Sequence, residues 1–106
     1  MNTDRELIIF SAKAYGITLE YRGGSDAYYY DDPETGREEW FPLGNYRQTL
    51  QLAVKLKIDI LNHESFCGAN AGELDFIINE DHMDDPLLAA CRAVTRAAAE
   101  IGRAMP

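Results

Sequence analysis

Between residues 4 and 15, 46 and 56, and 85 and 105 the apolar positions recur every three or four residues. Between those stretches they alternate with polar ones, which predicts three helices separated by strands. In the first stretch Leu7, Phe10 and Ala14, with Ile8 and Tyr15 beside them, make an apolar side. Thr3 or Asp4 can cap its start, and Gly16 supplies a left-handed stop after Tyr15. In the second, Asn45 is the cap, and Tyr46, Leu50, Ala53 and Val54 are assigned to the inner face. Lys55 and Lys57 suit the negative end of that helix's dipole. The third is the best marked: Asp85 caps it and Pro86 takes the first helical position, where the missing N–H would be unpaired anyway. Leu87, Cys91, Val94, Ala98, Ile101 and Met105 share its apolar face, with Arg92, Arg96, Glu100 and Arg103 off that line.

Strand periods fill the rest. Ile17, Leu19 and Tyr21 alternate with Thr18, Glu20 and Arg22, and Gly23 and Gly24 can turn the chain into an aromatic strand containing Tyr28, Tyr29 and Tyr30. The run from Asp32 to Gly36 is a second turn, after which Glu38 to Phe41 predicts a third strand that Pro42 ends. Ile58 and Ile60 begin a fourth, and Leu74, Phe76 and Ile78 a fifth. The segment from His63 to Glu73, with Gly68 to Gly72 at its centre, is read as a mobile connector between them, and Glu80 to Asp84 as an acidic link to the last helix. The order is α-β-β-β-α-β-β-α. It predicts a single α+β domain over residues 1–106, with an antiparallel sheet of about five strands packed with three helices.

Charge changes this picture only at the surface. The formal net charge is −8; residues 85 to 106 carry three Arg against Asp85 and Glu100, a balance of +1, which leaves −9 for residues 1 to 84. An acidic chain repels a phosphate backbone, so direct nucleic-acid binding is not expected. No apolar run approaches the roughly 20 residues that span a bilayer. With Cys67 and Cys91 outside any CxxC spacing, a cytoplasmic protein without membrane association is the expectation.

Candidate chemistry is sparse. Taking Asp31 as the first ligand of a calcium loop puts Pro33, Thr35 and Pro42 at the third, fifth and twelfth positions, which lack the side-chain carboxylates such a loop uses. Gly68 to Gly72 has no following Lys-Ser or Lys-Thr and so is not a phosphate loop. His63, Cys67 and His82 are the residues a small metal- or thiol-dependent enzyme would use, but their spacing is not that of a ligand set. No catalytic residue, metal or cofactor is therefore assigned. The acidic runs Asp26 to Glu39 and Glu73 to Asp85 each hold six carboxylates. Within them Asp26, Asp31, Asp32, Glu34, Glu38, Glu80, Asp81 and Asp84 form a candidate partner surface. Such a surface could also occupy a basic site on a host nucleic-acid enzyme or defence complex, as a nucleic-acid mimic. The alanines at 89, 90, 93, 97 and 99 permit close approach of another helix, from this chain or from a second copy in a homodimer.

Three stretches carry a resemblance: Trp40, Phe41, Pro42 and Leu43; the run from Leu50 to Leu56; and the ending from Arg92 to Gly102. In these the chain resembles a family of small uncharacterised proteins encoded by tailed phages and prophages. The resemblance implies an accessory protein working in a bacterial host cytoplasm. Together with the missing catalytic constellation, it leads to the expectation of a non-enzymatic protein that binds a host or phage protein.

Overall fold

The structure, a computed structural model, describes residues 3–72 and 74–106; Glu73, at the edge of the second acidic run, lies outside them. In chain order the elements are α1 Asp4–Tyr15, β1 Glu20–Arg22, β2 Ala27–Asp32, β3 Gly36–Glu39, α2 Tyr46–Leu56, β4 Ile58–Asn62, β5 Phe66–Ala71, β6 Ile78–Asp81 and α3 Pro86–Ala104. The chain adopts the α+β class and the antiparallel pairing that its pattern predicts. Its strands, however, are six in two sheets, β1-β2-β3 and β4-β5-β6, and not about five in one.

The difference is β5. Phe66–Ala71 falls inside the predicted connector, yet it is the central strand of the second sheet, paired along Asn62↔Cys67 to Ile58↔Ala71 on one side and Phe66↔Asp81 to Ala69↔Ile78 on the other. Gly, Ala and Asn have low strand propensity, so their composition hides the strand. Packing supplies what propensity does not: Cys67, Ala69 and Ala71 are buried in the core, and α3 packs directly on β5. Small side chains on both elements let their backbones come close. The fifth predicted strand also shifts, starting at Ile78 and taking in Glu80 and Asp81 from the expected link.

The caps match their sequence signals. Thr3 and Glu6 form a reciprocal capping box on α1, and Gly16 closes it in the left-handed conformation at φ 90°. Asn45 accepts from the Gln48 N–H at 3.1 Å, and Asp85 accepts from the N–H groups of Leu87 and Leu88. Along α3, Cys91, Val94, Ala98 and Ile101 are buried as expected, but Leu87 and Met105 are exposed. The alanine side is filled from within the chain: Ala93, Ala97, Ala98 and Ala99 are fully buried, and α1 packs against α3. A Cβ at Gly102 would collide with the Phe10 carbonyl oxygen, so that crossing requires glycine.

Trp40, at the exit of β3, ties the first sheet to α1. It is fully buried, stacked on Tyr15 with ring centres 5.3 Å apart and meeting Tyr30 edge-on at 5.5 Å. Its indole N–H donates to Ser11 Oγ at 3.2 Å, and Ser11 in turn donates to the Ile8 carbonyl. The polar atoms of this buried cluster are thereby satisfied.

Candidate functional site

The residue that orients α2 is polar. Gln48 is completely buried: its Oε1 accepts from the Phe41 N–H at 2.7 Å, and its Nε2 donates to the Glu39 carbonyl at 2.7 Å and to Glu38 at 3.2 Å. Beside it Thr49 Oγ1 donates to the Pro42 carbonyl at 2.7 Å. These two side chains clamp the backbone that leaves β3, beyond the last sheet bond from the Trp40 N–H to the Tyr28 carbonyl. Leu52 and Ala53 complete the buried face of the helix. Of the four residues that periodicity assigns inside, Ala53 alone is buried; the other three point to solvent.

The result is an apolar face on the outside of the molecule. Tyr46, Leu50 and Val54, each one turn from the next, are 53%, 61% and 70% exposed, and Leu87 at the start of α3 is 60% exposed. Tyr46, Leu50, Ile60 and Leu87 surround a shallow hollow of about 230 Å³ floored by Thr49, Ala90 and Cys91. On the other flank of the stripe, Tyr15, Arg47, Leu50, Gln51, Val54 and Lys55 line a second hollow of about 370 Å³. Leu50 is the ridge between the two. Gln51 Oε1, shielded from solvent beside this ridge, has no hydrogen-bond partner among the described residues. Lys55 Nζ donates to the Tyr15 carbonyl and lies over the Tyr15 ring. Single exposed apolar residues are ordinary on a protein surface; here Tyr46, Leu50 and Leu87 lie side by side around one hollow.

The acidic residues expected to form the partner surface are largely engaged inside the chain. Asp26, in the β1–β2 turn, accepts from Tyr21 OH at 2.8 Å, and Asp31 pairs with Arg37 at 2.9 Å. Backbone N–H groups of Glu34 and Thr35 donate to Asp32 at 2.8 and 3.0 Å and hold its carboxyl below the usual range. Burial pushes the Glu38 carboxyl up, but donation from Thr35, Arg47 and Gln48 outweighs it and leaves Glu38 below its ordinary value. Arg47 lies 3.0 Å from Glu38 and 3.6 Å from Asp32. Glu80 is held by Arg96 and Arg92 of α3, which accounts for the basic side of that helix. Glu34, Asp81 and Asp84 are exposed. The two runs belong to different sheets, and Arg92 lies 3.0 Å from Asp4 and 3.6 Å from Glu80.

His63, Cys67 and His82 do not converge on a reactive centre. His63 stacks on Phe66 with ring centres 4.3 Å apart. Cys67 is buried in β5, where desolvation pushes its thiol up and disfavours the thiolate. His82 follows β6, its backbone N–H donating to the Ser65 carbonyl. Among the described residues no group of three or more His, Cys, Asp or Glu is placed to hold a metal ion.

A further hollow of about 400 Å³ is lined by Asp4, Arg5, Asp26, Tyr28, Glu39 and Trp40 among others. Arg5, Tyr28, Asp26 and Asp4 of this hollow are engaged within the chain. Arg5 Nε donates to Tyr28 OH at 2.6 Å and lies over the Tyr21 ring, Tyr21 donates to Asp26, and Asp4 pairs with Arg92 at 3.0 Å.

The exposed face of α2 has a sequence signal that periodicity alone does not resolve. Tyr46, Leu50 and Val54 form one apolar row and Leu52 and Leu56 another, and a single helix cannot bury both. Gln48 and Thr49 decide between them through hydrogen bonds to a segment distant in pattern. No helix among the described residues is long and apolar enough to cross a membrane. Comparison with protein-family models, with curated proteins and with solved structures finds no match for this chain.

Proposed function

We propose that this chain is a small accessory protein of phage or prophage origin that works in a bacterial host cytoplasm by binding a host or phage protein and not by catalysis. The observation that carries the reading is the contiguous apolar face of Tyr46, Leu50, Val54, Ile60 and Leu87, left uncovered while α2 buries Gln48 and Thr49. Exposing that much apolar surface is unfavourable in water unless another surface covers it. The nucleic-acid mimic reading has less support, because four of its eight carboxylates, Asp31, Asp32, Glu38 and Glu80, are paired with Arg37, Arg47, Arg92 and Arg96.

Affinity purification from a lysogenic or infected host distinguishes the two. On the present reading a captured protein is lost with Leu50→Arg and kept with Asp31→Lys combined with Glu34→Lys, and it survives raised salt. Loss with the acidic pair and retention with Leu50→Arg would transfer the function to the acidic surface.

A further inference from the structure

The two sheets are fastened to the helices in different ways. α3 packs along β4, β5 and β6, whereas β1, β2 and β3 make their close backbone contacts chiefly with one another. Side chains hold this meander in place: Tyr30 against Trp40, Tyr28 to Arg5, and, where it meets α2, a cluster centred on Glu38.

The Glu38 carboxylate, mostly shielded from solvent, accepts from side chains of three segments. Tyr30 OH of β2 donates at 3.5 Å and Thr35 Oγ1 of the β2–β3 turn at 2.9 Å; Arg47 and Gln48 of α2 donate at 3.0 and 3.2 Å. Asp32 of β2 completes the cluster, 3.3 Å from Tyr30 OH and 3.6 Å from Arg47. We infer that Glu38 is an acid-released latch, whose protonation frees the β1–β3 meander from α2 as a unit while the three helices and the second sheet stay folded.

Every neighbour of Glu38 except Asp32 donates to it. Protonation puts a donor where an acceptor stood, so some of these bonds must be given up, and Arg47 loses a charge that balances its own. Glu38 and Asp32 both sit below the usual carboxylate range in the fold. The latch is therefore fully closed above about pH 4 and opens as the pH falls through the lower folded values. The buried contacts among α1, α3 and β5 are apolar, through Leu7, Val94, Ala97 and Ala69 among others, and carry no such dependence.

Trp40, the chain's one tryptophan, touches Tyr30 of the meander and reports the release, while far-UV circular dichroism reports the helices. Acid titration of the full chain from about pH 7 to pH 2 should change Trp40 emission in a first step that leaves helical ellipticity intact. In Glu38→Gln at neutral pH, the amides of β2 and β3 should exchange with solvent at least about tenfold faster than in the wild type, with those of α3 unchanged. Glu39→Gln, at the exposed neighbouring position, should leave both properties alone. A single wild-type transition in which emission and ellipticity change together overturns the inference. So does wild-type exchange in Glu38→Gln, or loss of that variant's helical signal, since either would mean that Glu38 does not govern the meander separately.

Discussion

Gln48 shows how one side chain can set the orientation of a helix. It closes three hydrogen bonds in a site with no access to water, and leaving one such buried group unpaired costs about 1–3 kcal/mol. That is comparable to burying one more leucine side chain, so the polar row of α2 competes successfully with the apolar row for the interior. Tyr30 is a second residue whose chemistry follows from its position. Burial first, then the charges of Glu38 and Asp32, push its hydroxyl up to about 12. The folded state therefore holds this proton more tightly than the unfolded state, whose tyrosine has pKa about 10. The contribution is fully present below pH 10 and is lost as the pH rises from about 10 to 12. An alkaline titration followed by tyrosinate absorbance should show one of the six tyrosines ionising late, together with unfolding. In Tyr30→Phe that late step should disappear; its persistence would assign it to another tyrosine.

At the level of elements, the caps, the order of the helices and the glycine turns were legible because each depends on chemistry within four or five residues. Thr3 with Glu6, Asn45 with Gln48, and Asp85 with Pro86 are complete signals in themselves. Two things were not legible. β5 is a strand of small residues whose stability comes from the alanines of α3 lying over it, and those arrive from more than 20 positions away. The buried face of α2 is set by the hydrogen bonds of Gln48 and Thr49 to the backbone of Glu39, Phe41 and Pro42, which no periodicity encodes. The exposed apolar face is a direct consequence, because periodicity assigns Tyr46, Leu50 and Val54 to the core. Truncation separates the two orientations. Leu52→Ala should cost about 2–5 kcal/mol in denaturant unfolding, as for a fully buried leucine. Leu50→Ala should cost no more than about 0.5 kcal/mol in the monomer. Equal costs would mean that α2 is turned the other way.

For the molecule as a whole, the net charge of −8 does not indicate where the chain exposes apolar surface. The arginines of α3 and α2 draw in much of the acidic sequence as ion pairs, and exposed pairs of that kind contribute about 0–1 kcal/mol each. The pairs leave the net charge at −8 and leave Glu34, Asp81 and Asp84 exposed, so the surface combines an acidic remainder with the apolar face of α2. The sequence pattern made the three helices readable but not this face, since the face results from how α2, β4 and α3 come together. A thiol placed on it reports its covering directly. In Leu50→Cys the native Cys67 and Cys91 are buried and should react slowly, so maleimide labelling reads position 50. The account predicts fast labelling of the isolated protein and at least about tenfold protection in host extract. A labelling rate unchanged by host extract would contradict it.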